Sequence, residues 1–149
     1  MNLHPPFSAF PTALFTVAFL FEITGQIKQH ESIIKLARAN LMLACLFMFF
    51  AYFSGLYAAD NASISFVVPT EAIKTHHNIG KLLLILCIPT GILSYISYQA
   101  KSNKKLFTAI FHLTLASCFL LAIYCGWLGG KLVFKHGAGV QIDGISAEK

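Results

Sequence analysis

Apolar residues fall in four long blocks separated by short polar turns: Phe7 to Ile27, Ala39 to Ala59, Ile79 to Tyr98, and Leu106 to Leu128 or a little beyond. About 20 apolar residues cross the hydrocarbon core of a bilayer, so each block predicts a membrane-crossing helix. The pattern predicts an all-α fold, an integral membrane four-helix bundle, in one domain over residues 1–149 with helices at about 7–27, 39–59, 71–98 and 106–136. The last block organises the rest. It carries His112 about two turns inside its first end, and His136 closes its last turn before the helix-stopping Gly137. Prolines punctuate the others. Pro5 and Pro6 restrict the approach to the first helix, and Pro11 is expected only within its first turn. Thr70, after Pro69, is the expected N-cap of the third. Pro89 should kink that helix, with Thr90 and Ser94 satisfying freed carbonyls.

Composition sharpens this picture. With 56% hydrophobic and 11% charged residues and a mean hydropathy of +0.68, the chain is far from a soluble domain, in which roughly a quarter of residues are charged. The net charge of +5 does not point to nucleic acid, because the cations sit in turns and form no stripe. Six of the eleven Lys/Arg residues, Lys28, Lys35, Arg38, Lys101, Lys104 and Lys105, follow the first and third blocks. The positive-inside rule puts those turns in the cytoplasm and both termini, with the 60–75 loop, outside. The start of the chain lacks a basic region and no small-residue cleavage motif follows, so the first block is expected to remain as a helix. Lys81 can snorkel to the headgroups. In the second block, Phe47, Phe49, Phe50, Tyr52 and Phe53 read as lipid-facing or packing aromatics, and Ala51 with Gly55 as a close-packing notch. In the loop, Ser63 to Val68 has β-like composition.

Chemistry is sparse. There is no nucleophile elbow, no His-Glu-x-x-His and no phosphate-binding loop, so no catalytic residue is assigned and an electron carrier or redox subunit is a better expectation than a stand-alone enzyme. Cys45, Cys87, Cys118 and Cys125 have no C-x-x-C spacing and read as small hydrophobes. Histidine is the candidate ligand: the topology puts His4, His76, His77 and His136 at one face, and neutral imidazoles on facing helices at one depth can hold a haem or a metal ion. Glu22, the one carboxylate inside the four blocks, lies six residues before Lys28, and His112 lies seven after Lys105. Each is therefore about 10 Å inside the same boundary, which predicts a pair. That pair reads as a structural clamp, a proton relay, or an inner haem ligand with its carboxylate partner. Ala122, Gly126 and Gly130 recur every four positions and would admit another helix, including that of a second copy, or a flat ligand.

The opening His4-Pro5-Pro6 with Phe10-Pro11 and Ala13-Leu14, the His76 to Gly80 spacing, and Gly126-Trp127-Leu128-Gly129-Gly130-Lys131-Leu132-Val133-Phe134-Lys135-His136-Gly137-Ala138-Gly139-Val140 carry a resemblance. The chain resembles, over nearly its whole length, a family of small bacterial four-helix membrane proteins catalogued as a domain of unknown function. The last stretch is similar to that family's closing Gly-Gly-x-Leu-Val-x-x-His-Gly-x-Gly-Val signature. Family members often carry a second histidine just before the Phe-Pro of the first helix, where this chain has Ala9. The resemblance implies a bacterial inner membrane location, and some members look to be joined to Rieske-type iron–sulfur domains, which implies redox company.

Together these readings point to a small b-type cytochrome in the lipid bilayer, with an iron–sulfur or cytochrome partner. His76 and His136 are the expected ligands, His4 a third ligand or orienting group, and His77 the reserve should the register slip by one. Gly129 and Gly130 would make room for the macrocycle of haem b. Two other classes fit the same residues: a zinc or copper protein adding Asp60 or Glu71, or a scaffold subunit packing through Ala122, Gly126 and Gly130.

Overall fold

A computed structural model describes residues 4–61 and 68–138, apart from the side chains of Pro5, Pro6, Ala59, Asp60 and Asn61. The β-like stretch other than Val68, the Asp60 carboxylate and the Gly139–Val140 end of the signature lie outside the described residues. Four helices run α1 (His4–Lys28), α2 (Glu31–Asn61), α3 (Thr70–Gln99) and α4 (Lys104–His136). All four are long and apolar enough to cross a membrane.

The ends of the helices differ from the apolar blocks in instructive ways. α1 starts at His4, so Pro11 sits inside the helix and removes its bond to the Phe7 carbonyl. α2 starts at Glu31, well ahead of Ala39, so Lys35 and Arg38 are helical residues and not part of a turn. Only Gln29 and His30 remain between α1 and α2; Gln29 turns the chain at φ 52° and His30 N–H donates to the Gly25 carbonyl. Thr70 does not cap α3. Pro69 holds that position at φ −57° without a side-chain hydrogen bond, because its ring fixes φ and the helix has already begun at Thr70. In α3, Thr90 donates to the Leu86 carbonyl, while the Ser94 carbonyl accepts from Arg38 and Ser97. α4 ends on Gly137 at φ 65°, with Gly137 N–H on Val133 O and Ala138 N–H on Leu132 O. Those crossed bonds need the left-handed backbone that glycine adopts at no steric cost.

Among the described residues, each helix backbone packs against its two neighbours in the cyclic order α1, α2, α3, α4, and the backbones of the diagonal pairs do not approach, so those helices meet only through side chains. This is an up-down-up-down bundle in which the hairpins α1–α2 and α3–α4 pack most extensively. Its core uses small residues, Ala18, Ala44, Ala122, Cys87 and Cys118, between Phe15, Phe111, Leu41, Leu83 and Leu115. Small residues let backbones come close, which is how helices gain contact where lipid removes the hydrophobic drive. Side chains also tie the helices directly: Thr12 donates to the Ala122 carbonyl and Asn40 to the Leu14 carbonyl. The outer surface is apolar, with Ile85, Ile88, Ile92, Leu113 and Leu120 all more than half exposed. On α2, Phe49, Phe50 and Phe53 face outward, whereas Tyr52 turns in to meet His77.

Candidate functional site

The starts of α1 and α3 and the ends of α2 and α4 form one end of the bundle, here the histidine end. His4 opens α1, and its Nδ1–H donates to the Ala51 carbonyl at 3.1 Å, with Ser54 Oγ at 3.2 Å. A carbonyl can only accept, so the tautomer is fixed and the lone pair of neutral His4 is on Nε2. Burial pushes this imidazole below its ordinary value, partly offset by the bond to Ala51, and so favours the neutral form that binds metals. Across the bundle, His76 of α3 places its ring centroid 6.2 Å from that of His4, with the planes at 74°. Its Nδ1 is 3.7 Å from Cys125 Sγ on α4.

α1 and α3 lie on one diagonal, and on the other diagonal stand two glycines. A Cβ at Gly55 of α2 would be 2.9 Å from His4 Cε1, and one at Gly129 of α4 would be 3.2 Å from His76 Cε1. His4, Gly55, His76 and Gly129 thus make one layer with a residue from each helix, two imidazoles on bare backbone. His77 lies beside this layer with its Nε2 3.3 Å from the Tyr52 hydroxyl. His136 closes α4 half-buried, seven residues and about 10 Å along the helix beyond Gly129. Histidines 4 and 76 come together, and His136 stands apart from them. Gly130 meets nothing from another helix at its Cβ position, only Phe134 of its own. Ala122 and Gly126 are used inside the bundle against Thr12 of α1, so the small-residue stripe is largely spent on the chain's own packing. Among the described residues no three of His, Cys, Asp and Glu gather as a metal site, and Glu71 pairs with Lys74 on the surface.

A second polar cluster lies near the opposite, basic end. His112 Nε2 is 3.2 Å from Glu22 Oε1, as equal depth predicts, and Gln26 Nε2 donates to the same oxygen at 2.9 Å. Sequence reasoning missed two of the four members, Gln26 and Arg38. Arg38 reaches from α2 to place Nη2 3.4 Å from Glu22 Oε1 and Nη1 2.6 Å from the Ser94 carbonyl of α3. Its guanidinium lies 5.1 Å from the Phe111 ring centre and 5.4 Å from that of Tyr98. All four helices meet here around Glu22, which is 1% exposed. A helical reading of residues 31–38 would have found Arg38, since it then shares the inward face with Ala37 and Leu41.

The sequence from residue 1 to 142 matches the family model DUF2231, described as a predicted membrane protein. The chain belongs to the DUF2231 family. Comparisons with curated proteins and with solved structures returned no match. Membership agrees with the four spanning helices of this DUF2231 chain.

Proposed function

We propose that the protein is a membrane-embedded b-type haem protein serving electron transfer, in which His4 and His76 would hold the haem. The observation that carries this reading is the diagonal imidazole pair facing two glycines. A metal held by one nitrogen from each ring at about 2.0–2.1 Å, with about 1.1 Å from nitrogen to ring centre, separates the centroids by up to about 6.4 Å. The 6.2 Å separation of His4 and His76 fits that bridge. Gly55 and Gly129, having no side chain, let the His4 and His76 rings lie directly on the facing helix backbones, which is how the two imidazoles that would hold the haem are seated. The Ala51 carbonyl orients His4 and raises the basicity of Nε2, the usual service of a backbone acceptor to a ligating histidine. Iron in this setting supplies one-electron chemistry, and the chain contributes ligands, orientation and an apolar surround.

The test is the visible spectrum of the detergent-purified protein, expected to hold a Soret band and a sharp reduced α-band. His4→Ala or His76→Ala should abolish the low-spin spectrum, and His136→Ala and His77→Ala should retain it. Haem content and spectrum unchanged in the His4→Ala, His76→Ala double variant would refute the assignment. Stoichiometric copper or zinc without haem would select a metal-ion site, for which the Cys125 thiol beside His76 is the favouring feature.

A further inference from the structure

A cavity of about 210 Å³ lies between α1 and α4 near the basic end, away from the histidine layer. Phe19, Ile23, Ile27 and Leu115 form its apolar walls, and the polar groups along it are Gln26, His112 and, behind His112, Glu22. Ile23 is 41% and Ile27 77% exposed on a spanning helix, so the rim is apolar and lies on the outer surface of the bundle. Glu22 is sealed at 1% exposure, and the cavity meets the pair through the His112 side chain, which is 39% exposed. With Nε2–H donating to the carboxylate, neutral His112 has its lone pair on Nδ1, where it can accept a hydrogen bond.

We propose that this cavity binds the head of a lipid-soluble hydroquinone, the ring seated between Phe19 and Leu115 and one ring hydroxyl donating to His112. Three features argue for that occupant. An apolar cavity of about 150 Å³ is large enough for a benzene ring, so about 210 Å³ holds one ring with its oxygen substituents and little more. Phe19, already stacked on Phe119 with centroids 4.6 Å apart, offers an aromatic wall that holds a ring better than a flexible chain. An acyl tail would fill the walls yet offer no hydrogen bond to the second nitrogen of His112, Nδ1, whose first nitrogen is already engaged by Glu22. The aliphatic tail of the hydroquinone runs out past Ile27 into the bilayer. Glu22 is the positioning residue: it sets the His112 tautomer and balances any charge the imidazole takes up, with Arg38 of α2 and Gln26 of α1 the other groups facing it. This site is independent of the haem reading, since His4 and Glu22 are eighteen residues, about 27 Å, apart along α1.

The experiment uses the full chain in nanodiscs and a decyl-hydroquinone bearing a diazirine beside the ring. Photolabelling should map to residues 19–27 and 112–115, and unlabelled decyl-hydroquinone should compete about tenfold better than decylbenzene, which lacks the hydroxyls. Leu115→Trp, which fills the cavity and leaves the Glu22–His112 pair, should abolish labelling. His112→Leu, checked for an unchanged circular dichroism spectrum, should erase the preference over decylbenzene; if it unfolds the bundle, His112→Gln serves as the second variant. Labelling elsewhere, equal competition by decylbenzene as expected of an acyl tail, or persistence in Leu115→Trp would overturn the proposal.

Discussion

Replacing Arg38 by methionine tests what holds a carboxylate inside this bundle. Two unit charges 3.4 Å apart attract by about 5 kcal/mol at the effective dielectric of about 20 that suits protein sites, and Arg38 Nη2 lies that far from Glu22 Oε1. Removing one partner of a buried pair costs about 3–5 kcal/mol, because the other charge is left uncompensated. Glu22 would retain Gln26 and His112, and the Ser94 carbonyl would keep the Ser97 hydroxyl, so Arg38→Met should fall at the low end, about 3 kcal/mol. The reverse deletion should be milder. Arg38 has a 2.6 Å bond to Ser94 O, two ring faces and a side chain 13% exposed, which together support its charge without Glu22. Glu22→Gln should therefore cost about 1 kcal/mol, and the double variant about 2, a coupling of about 2 kcal/mol against about 0.6 for an ordinary hydrogen bond between membrane helices. The assay is unfolding by dodecyl sulfate in mixed micelles, followed by circular dichroism and by the fluorescence of the single tryptophan, Trp127. A double variant that loses the full sum of the singles, or a Glu22→Gln as damaging as Arg38→Met, would refute this asymmetry.

Gly55→Ala should displace the His4 ring and cost about 1–3 kcal/mol by overpacking, with a matching fall in haem-to-protein ratio, whereas Gly130→Ala should change neither. Because burial lowers the folded-state value of His4, the unfolded chain binds more protons between that value and about 6.5, so stability should rise with pH through this window and level off above it. His4→Asn should flatten that part of a melting-temperature profile; an unchanged slope would show that another group sets it. Cysteine labelling of intact cells, after replacing Cys125, should modify a cysteine at Ser146 and spare one at Lys104; the opposite result would invert the bundle in the membrane.

Much of the architecture was legible because span length is a one-dimensional property: four apolar blocks of about 20 residues leave few alternatives. The Glu22–His112 contact was legible for a related reason, since depth can be counted from the basic turns. Arg38 was not. It was read as a turn residue, because hydropathy cannot see that a long stem carries a guanidinium back along its helix and into the core. The placement of His4 opposite His76 was also beyond reach, since counting residues gives depth but not the cyclic order of helices. That order depends on where Ala18, Ala44, Cys87 and Ala122 let neighbours close up. Gly55 was visible as a notch, but its occupant is a side chain 51 positions earlier.

The division into two tight hairpins has a consequence for how the protein matures. His4 belongs to the first and His76 to the second; Glu22 and Arg38 belong to the first, and His112, Ser94, Phe111 and Tyr98 to the second. Each hairpin is therefore a carrier of half-sites, and a chain with only α1 and α2 inserted holds His4 on its Ala51 carbonyl without His76 at one end and an ion pair lacking its histidine at the other. The polar contacts between the hairpins are satisfied in one register only, so they specify how the halves fit, and both clusters are complete only with the seam closed.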